Sequence, residues 1–153
     1  MGHITDALMR FFAEDGWTTE PVADPPGFRA GYQGDHGHFI LFAQVREEHE
    51  QLVFYSLTPD DVPEGRRAAV GELFNRLNYG LVVGNFEIDY DDGEIRYRSA
   101  GDFEGVEPTT RAIKNLVHAN ILSFDRWAPV IEEVIAGTRT PKEAIAAAEA
   151  GDE

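Results

Sequence analysis

Val70, Leu73, Phe74 and Leu77 fall at i, i+3, i+4 and i+7. That spacing places four apolar side chains on one face of an α-helix. Glu64, Arg66, Arg67, Glu72 and Arg76 take most of the opposite face. Pro63 suits the opening of this helix, where its missing N–H has no partner to lose. Gly80 suits a left-handed position at the end. Beyond it the period changes. Gly80 and Gly84 bracket Leu81, Val82 and Val83, a short apolar corner. Phe86, Ile88 and Tyr90 then alternate with Glu87 and Asp89, and Ile95 and Tyr97 alternate with Glu94, Arg96 and Arg98, which is strand period. Asp92-Gly93 predicts a two-residue type I′ turn, whose central residues both need positive φ. The stretch from Pro63 to Arg98 thus reads as a helix feeding an antiparallel hairpin.

The flanking pattern fits around this unit. Ile4, Ala7, Leu8, Phe11 and Phe12 share one face of a first helix, which Asp15-Gly16 ends. Trp17 to Val22, Phe28 to Tyr32, His38 to Val45 and Leu52 to Leu57 read as extended segments, the third as a central strand. They are separated by Asp24-Pro25-Pro26-Gly27, by Gly34-Asp35-His36-Gly37 and by the charged turn Glu47-Glu48-His49-Glu50. Ser99 to Glu107 is a loop or a continued strand. From Pro108 and Thr109 the longest helical pattern runs through Ile113, Leu116, Val117, Asn120 and Phe124, and on to Ile131, Val134 and Ile135. Pro129 lies inside it, which predicts a kink or break between Ser123 and Ala128. Thr140-Pro141-Lys142-Glu143 has the form of a capping box with proline at the first helical position. A short, peripheral alanine-rich helix, Ala144 to Ala150, follows.

The run LNYGLVVGNFEIDYDDGEIRYR resembles the YbjN-like family, labelled bacterial sensory transduction regulators. In that family a helix ends in an Asn-x-Gly corner before a Gly-Asn-Phe strand and an acidic hairpin. The later run TTRAIKNLVHANILSFDRWAPVIEEVIAG resembles the family's final helical region. The resemblance extends from about Leu52 to Gly137. It implies a type III secretion chaperone-like fold and a homodimer, and no particular reaction.

The net charge of −15 on 153 residues repels phosphate backbones and anionic lipid surfaces, which argues against nucleic-acid and membrane partners. Without cysteine there is no disulfide framework, thiol catalysis or cysteine-type zinc site. No apolar run approaches the ~18 residues of a membrane span, and Asp6, Arg10 and Glu14 interrupt any signal-peptide core. A cytoplasmic protein is expected.

Candidate chemistry is sparse. An EF-hand loop begun at Asp89 puts Gly93 at the fifth position and Ala100 at the twelfth, where glycine belongs at the sixth and glutamate at the twelfth, so the calcium pattern fails. His36 and His38 have metal-ligand spacing but no evident third ligand. His118 lacks a visible orienting partner for general-base work. Asp102, Glu104 and Glu107 are close in sequence but read as a solvated loop in so acidic a chain. Gly80 and Gly84 lack the Lys-Ser or Lys-Thr of a phosphate loop, and Asn78 and Asn85 beside them read as backbone-bonding residues. Tyr55, Tyr79, Tyr90, Tyr97, Phe86 and Trp127 form a large aromatic stock, some of it available for an interface.

These observations predict one α+β domain over residues 1–153, frayed at 1–3 and 150–153. The order is α-βββ-α-ββ-α, with an antiparallel sheet of about five strands and helices mainly on one face. The expected function is a non-enzymatic protein-binding or regulatory module, chaperone-like by resemblance, with no catalytic, cofactor or metal residues. Its candidate interaction surface is Leu73, Leu77, Tyr79, Trp127 and Ile131. The alternative is a small-molecule or metal-ion sensor that uses a pocket beneath the Gly80–Gly84 corner.

Overall fold

The protein is described from a computed structural model covering residues 2–152. In chain order the elements are α1 (His3–Asp15), β1 (Glu20–Val22), β2 (Gly27–Gln33), β3 (His38–Arg46), β4 (Gln51–Leu57), α2 (Arg67–Asn78), β5 (Asn85–Ile88), β6 (Ile95–Asp102), α3 (Thr110–Ala136) and α4 (Pro141–Ala150). The expected frayed termini included Met1 and Glu153, which lie outside the described residues. His3 and Ala150 begin and end helices.

All six strands form one antiparallel sheet in the order β1-β2-β3-β4-β6-β5. The sheet has one strand more than the expected five, and the three-residue β1, from the extended segment Trp17 to Val22, forms one edge. Only Glu20–Val22 of the segment from Trp17 pairs, because β1 meets β2 solely at residues 27–29. The helices cover one face. Phe39, Leu41, Ala43, Leu52, Phe54, Phe86, Ile95 and Tyr97 are buried on that side. Two apolar clusters lie beneath the helices. One gathers α1 and the first half of α3 over β3 and β4. The other gathers α2, α4 and the second half of α3 over Phe39, Phe86, Ile95 and Tyr97. The sequence reading made α4 peripheral, yet Ala144 is buried and Ile145 and Ala148 pack on the second cluster.

Three local expectations are corrected. The β5–β6 connection is a four-residue loop, Tyr90 to Gly93, and not a two-residue type I′ turn. It is closed by Asp89 N to Glu94 O (2.9 Å) and Gly93 N to Asp89 O (2.7 Å). Gly93 has φ +84°, while Asp92 does not take the positive φ that a type I′ turn demands. Arg67 holds the loop, donating from Nη1 to Tyr90 O and Asp91 O at 3.1 Å each. The left-handed glycine of the corner is Gly84 (φ +86°), and not Gly80. A Cβ there would stand 2.5 Å from the Tyr97 ring.

The third correction concerns α3: of the kink or break expected at Pro129, the break does not occur, and the helix runs on from Thr110 to Ala136. Proline removes the N–H that would bond the carbonyl four residues earlier, here Asp125. His36 Nδ1 lies 3.0 Å from that oxygen. The Asp125 carboxylate in turn accepts the backbone N–H groups of Asp35 (3.0 Å) and His36 (2.8 Å). The β2–β3 turn thus supplies the partner that the helix interior lost.

Candidate protein-binding surface

The side chains singled out for chemistry are engaged in holding elements together. His118 Nε2 lies 2.8 Å from Asp15 Oδ2, and Trp17 Nε1 donates to the same oxygen at 2.9 Å. This ties α3 to the end of α1. Burial alone would raise the Asp15 carboxyl, but the bonds from His118 and Trp17 outweigh it and hold the group below the usual carboxylate range. His36 faces Asp125, while His38 is exposed on β3. No group of three or more His, Asp or Glu side chains is arranged to hold a metal ion among the described residues. Asp102 accepts Glu104 N (3.0 Å) and Gln51 Nε2 (3.0 Å), which lowers its carboxyl, the backbone bond contributing most. It caps the end of β6 and is not paired with Glu107. Glu47 is a residue that sequence reasoning missed. It accepts from Ile4 N and Thr5 N and so caps α1 from a remote turn. The loop pattern around it carried no sign of this.

Of the five residues expected to form an interaction surface, three are core. Leu73 (0% exposed), Leu77 (6%) and Ile131 (2%) pack together in the second cluster. The helical stripes that looked available for a partner are consumed within the chain, because α2, α3 and α4 cover one another as well as the sheet. Trp127 is half-buried, with the Arg126 guanidinium 4.6 Å above its ring. Tyr79 is 96% exposed.

Tyr79 stands on a firmly held corner. Asn78 accepts Phe86 N through Oδ1 (2.8 Å) and donates to Phe86 O through Nδ2 (3.0 Å). It thereby occupies the free edge of β5, where unpaired backbone groups would invite another strand. Tyr97 Oη donates to Val83 O at 2.5 Å, and the Tyr97 ring fills the space beneath Gly84. The pocket expected under Gly80–Gly84 is therefore occupied by this side chain. Leu81 turns inward, while Val82 is 95% exposed and Val83 is partly so. The corner thus presents Tyr79, Val82 and Val83 outward from a backbone locked at Asn78, Val83 and Gly84. The glycines flanking this apolar triplet were the sequence signal that could have singled out the two valines.

The family described as YbjN, "Putative bacterial sensory transduction regulator", matches residues 5–133. The chain belongs to the YbjN family. The match begins at α1, well before the Leu52 at which the resemblance started in the sequence, so the first helix and all of the early strands are part of the family unit. Two solved structures are similar to the chain. The structure described as the ExsC-ExsE complex has TM-score 0.54 and 14% identity, covering 86% of this chain and 97% of that one. The structure described as the HopA1-SchA chaperone-effector complex has TM-score 0.49 and 20% identity, covering 81% and 91%. No curated protein matches the chain. The fold of this YbjN protein is α+β and type III secretion chaperone-like, as expected.

Proposed function

We propose that this YbjN protein is a non-enzymatic, cytoplasmic regulator that acts by binding protein, in a chaperone-like manner. The observation that carries the reading is the corner. Tyr79 and Val82 are almost fully exposed on a backbone held by side-chain hydrogen bonds, and apolar side chains displayed so rigidly lose little entropy on contact. The ExsC-ExsE structure, a protein pair built on a similar fold, supports the same class of function. A homodimer that uses this corner is part of the proposal, since the apolar faces of α2 and α3 are already spent inside one chain.

The test is affinity capture with the intact protein and with a Tyr79→Ser, Val82→Ser variant, quantified by mass spectrometry and paired with light scattering. Proteins retained by the wild type and lost by the folded variant, or a dimer that the variant dissociates, support the corner as the contact. Equal retention and equal mass would overturn it. A thermal-shift panel of metabolites and metal ions addresses the sensor alternative, in which a specific ligand raises Tm by several degrees.

A further inference from the structure

Between the second half of α3 and the loop that leaves β4 lies a cavity of about 430 Å³. Its walls come from the β2–β3 turn, from residues 58–63 and from Ala128, Glu132 and Ile135 of α3. Its base is the edge of the second apolar cluster, Phe39, Ile95, Phe124 and Ile131. Asp60, Asp61 and Glu132 line it as exposed carboxylates with no ion-pair partner among the described residues. No arginine or lysine lines it, whereas Arg46, Arg96, Arg29 and Arg111 each line another cavity of the protein. The charges on the segments that build the walls keep the same sign. Asp35, Glu64, Glu94, Asp125 and Glu133 stand there against Arg66, Arg96 and Arg126. Each of these arginines is already engaged, Arg66 with Val134 O, Arg96 with Glu87 and Arg126 with Asp152. Two histidines also line the cavity, and His36 faces the Asp125 carboxylate. Even with His36 and His38 both protonated, the carboxylates remain in excess.

We propose that this cleft binds an organic amine, a small molecule that carries ammonium on an apolar body. The apolar body lies against Pro59, Ala128 and Ile135, and the ammonium faces Asp60, Asp61 and Glu132. The sign of the charge selects this occupant. An anion would add a like charge among carboxylates that nothing neutralises. Exposed ion pairs contribute little each, so the apolar contact supplies the affinity and the carboxylates decide which charge is admitted. Size selects a small molecule, since such sites span about 300–1,000 Å³. A bare metal ion does not fit, because no group of three or more His, Asp or Glu side chains is arranged to hold one among the described residues. The cleft shares no residue with the Tyr79–Val83 corner. It is therefore independent of the protein-binding reading, and it gives the sensor alternative a site other than the one expected under Gly80–Gly84.

An NMR titration of the isoleucine methyl groups in the intact protein tests it. The probes are phenethylamine, spermidine and, as an anion of similar shape to the first, phenylpropionate. Either amine should shift the methyl signals of Ile131 and Ile135, and phenylpropionate should leave them in place. Affinity for the amine should fall about tenfold when Asp60→Asn, Asp61→Asn and Glu132→Gln are combined, and it should weaken with added salt. The single Glu132→Gln variant is read instead if circular dichroism shows the triple variant to be misfolded. No shift at these methyls with either amine, equal binding of phenylpropionate, or unchanged affinity in the carboxylate variant would overturn the proposal. So would binding of a capped Phe-Lys-Phe peptide where neither free amine binds, which would assign the cleft to a basic segment of a protein. The Tyr79→Ser, Val82→Ser variant should bind the amine as the wild type does, and loss of binding there would move the probe to the corner and sink the assignment. Failure of the titration leaves the protein-binding reading standing, since that reading is tested by capture through the corner.

Discussion

Asn78 shows how one side chain can do the work of a missing strand. Its amide donates to and accepts from Phe86, so an edge residue is satisfied on both backbone groups. Each such bond contributes about 0.5–1.5 kcal/mol, so Asn78→Ala should cost roughly 1–3 kcal/mol in urea unfolding. Asn85, whose amide is 3.4 Å from the same carbonyl, should tolerate alanine with a loss under about 0.5 kcal/mol. Asp15 makes a prediction about pH. Its carboxyl is held below the usual carboxylate range in the folded chain by the bonds from His118 and Trp17. A depressed carboxyl stabilises the fold at any pH above its unfolded value, and the contribution is lost as pH falls through the folded value. Acid unfolding monitored below about pH 4 should therefore be less steep in Asp15→Asn than in the wild type, while the variant is the less stable of the two at neutral pH.

Among the elements, α3 is the one whose continuity depends on another part of the chain. Its Pro129 deletes a rung, and the His36 imidazole is positioned at the oxygen left over. In Pro129→Ala the helix regains its own donor, and removal of an interior proline is worth up to about 3 kcal/mol where the helix was strained. His36→Ala should cost about 1 kcal/mol in the wild type and less in the Pro129→Ala background. A double-mutant cycle by thermal denaturation reads that difference as a coupling energy. A zero coupling would mean that His36 Nδ1 does not serve the orphan carbonyl. The α4 capping box needed no such remote partner. Thr140 Oγ1 accepts Glu143 N at 3.2 Å, and Glu143 Oε2 accepts Thr140 N at 3.1 Å, as the four-residue motif predicts.

For the molecule as a whole, the one-sided arrangement of helices decides which apolar residues are free. Leu77 and Tyr79 are two positions apart, yet one is core and the other is exposed. Leu77→Ala should cost about 2–5 kcal/mol, since it opens a cavity among α2, α3 and the sheet. Tyr79→Ser and Val82→Ser should change stability by no more than about 0.5 kcal/mol each. Denaturant midpoints with unchanged m-values would check both. If Tyr79→Ser were instead strongly destabilising, the corner would be part of the core and not a contact surface.

Local pattern in the sequence determined the element types. The i, i+3, i+4, i+7 stripe made α2, the alternation of Phe86 to Tyr97 made the β5–β6 pair, and the Thr140–Glu143 motif set the start of α4. Each of these depends on neighbours within a few residues, where helical or strand geometry fixes which side chains meet. What depended on distant residues was left to the tertiary structure. His36 allowed Pro129 to stay helical, and Glu47 capped α1. The four-residue loop took its form with Arg67 across from it. The candidate surface also changed hands for that reason. Periodicity shows that Leu73, Leu77 and Ile131 share apolar faces, but it cannot say whether a face meets the same chain or another. Three helices packed on one side of the sheet buried those residues, and left the corner to solvent.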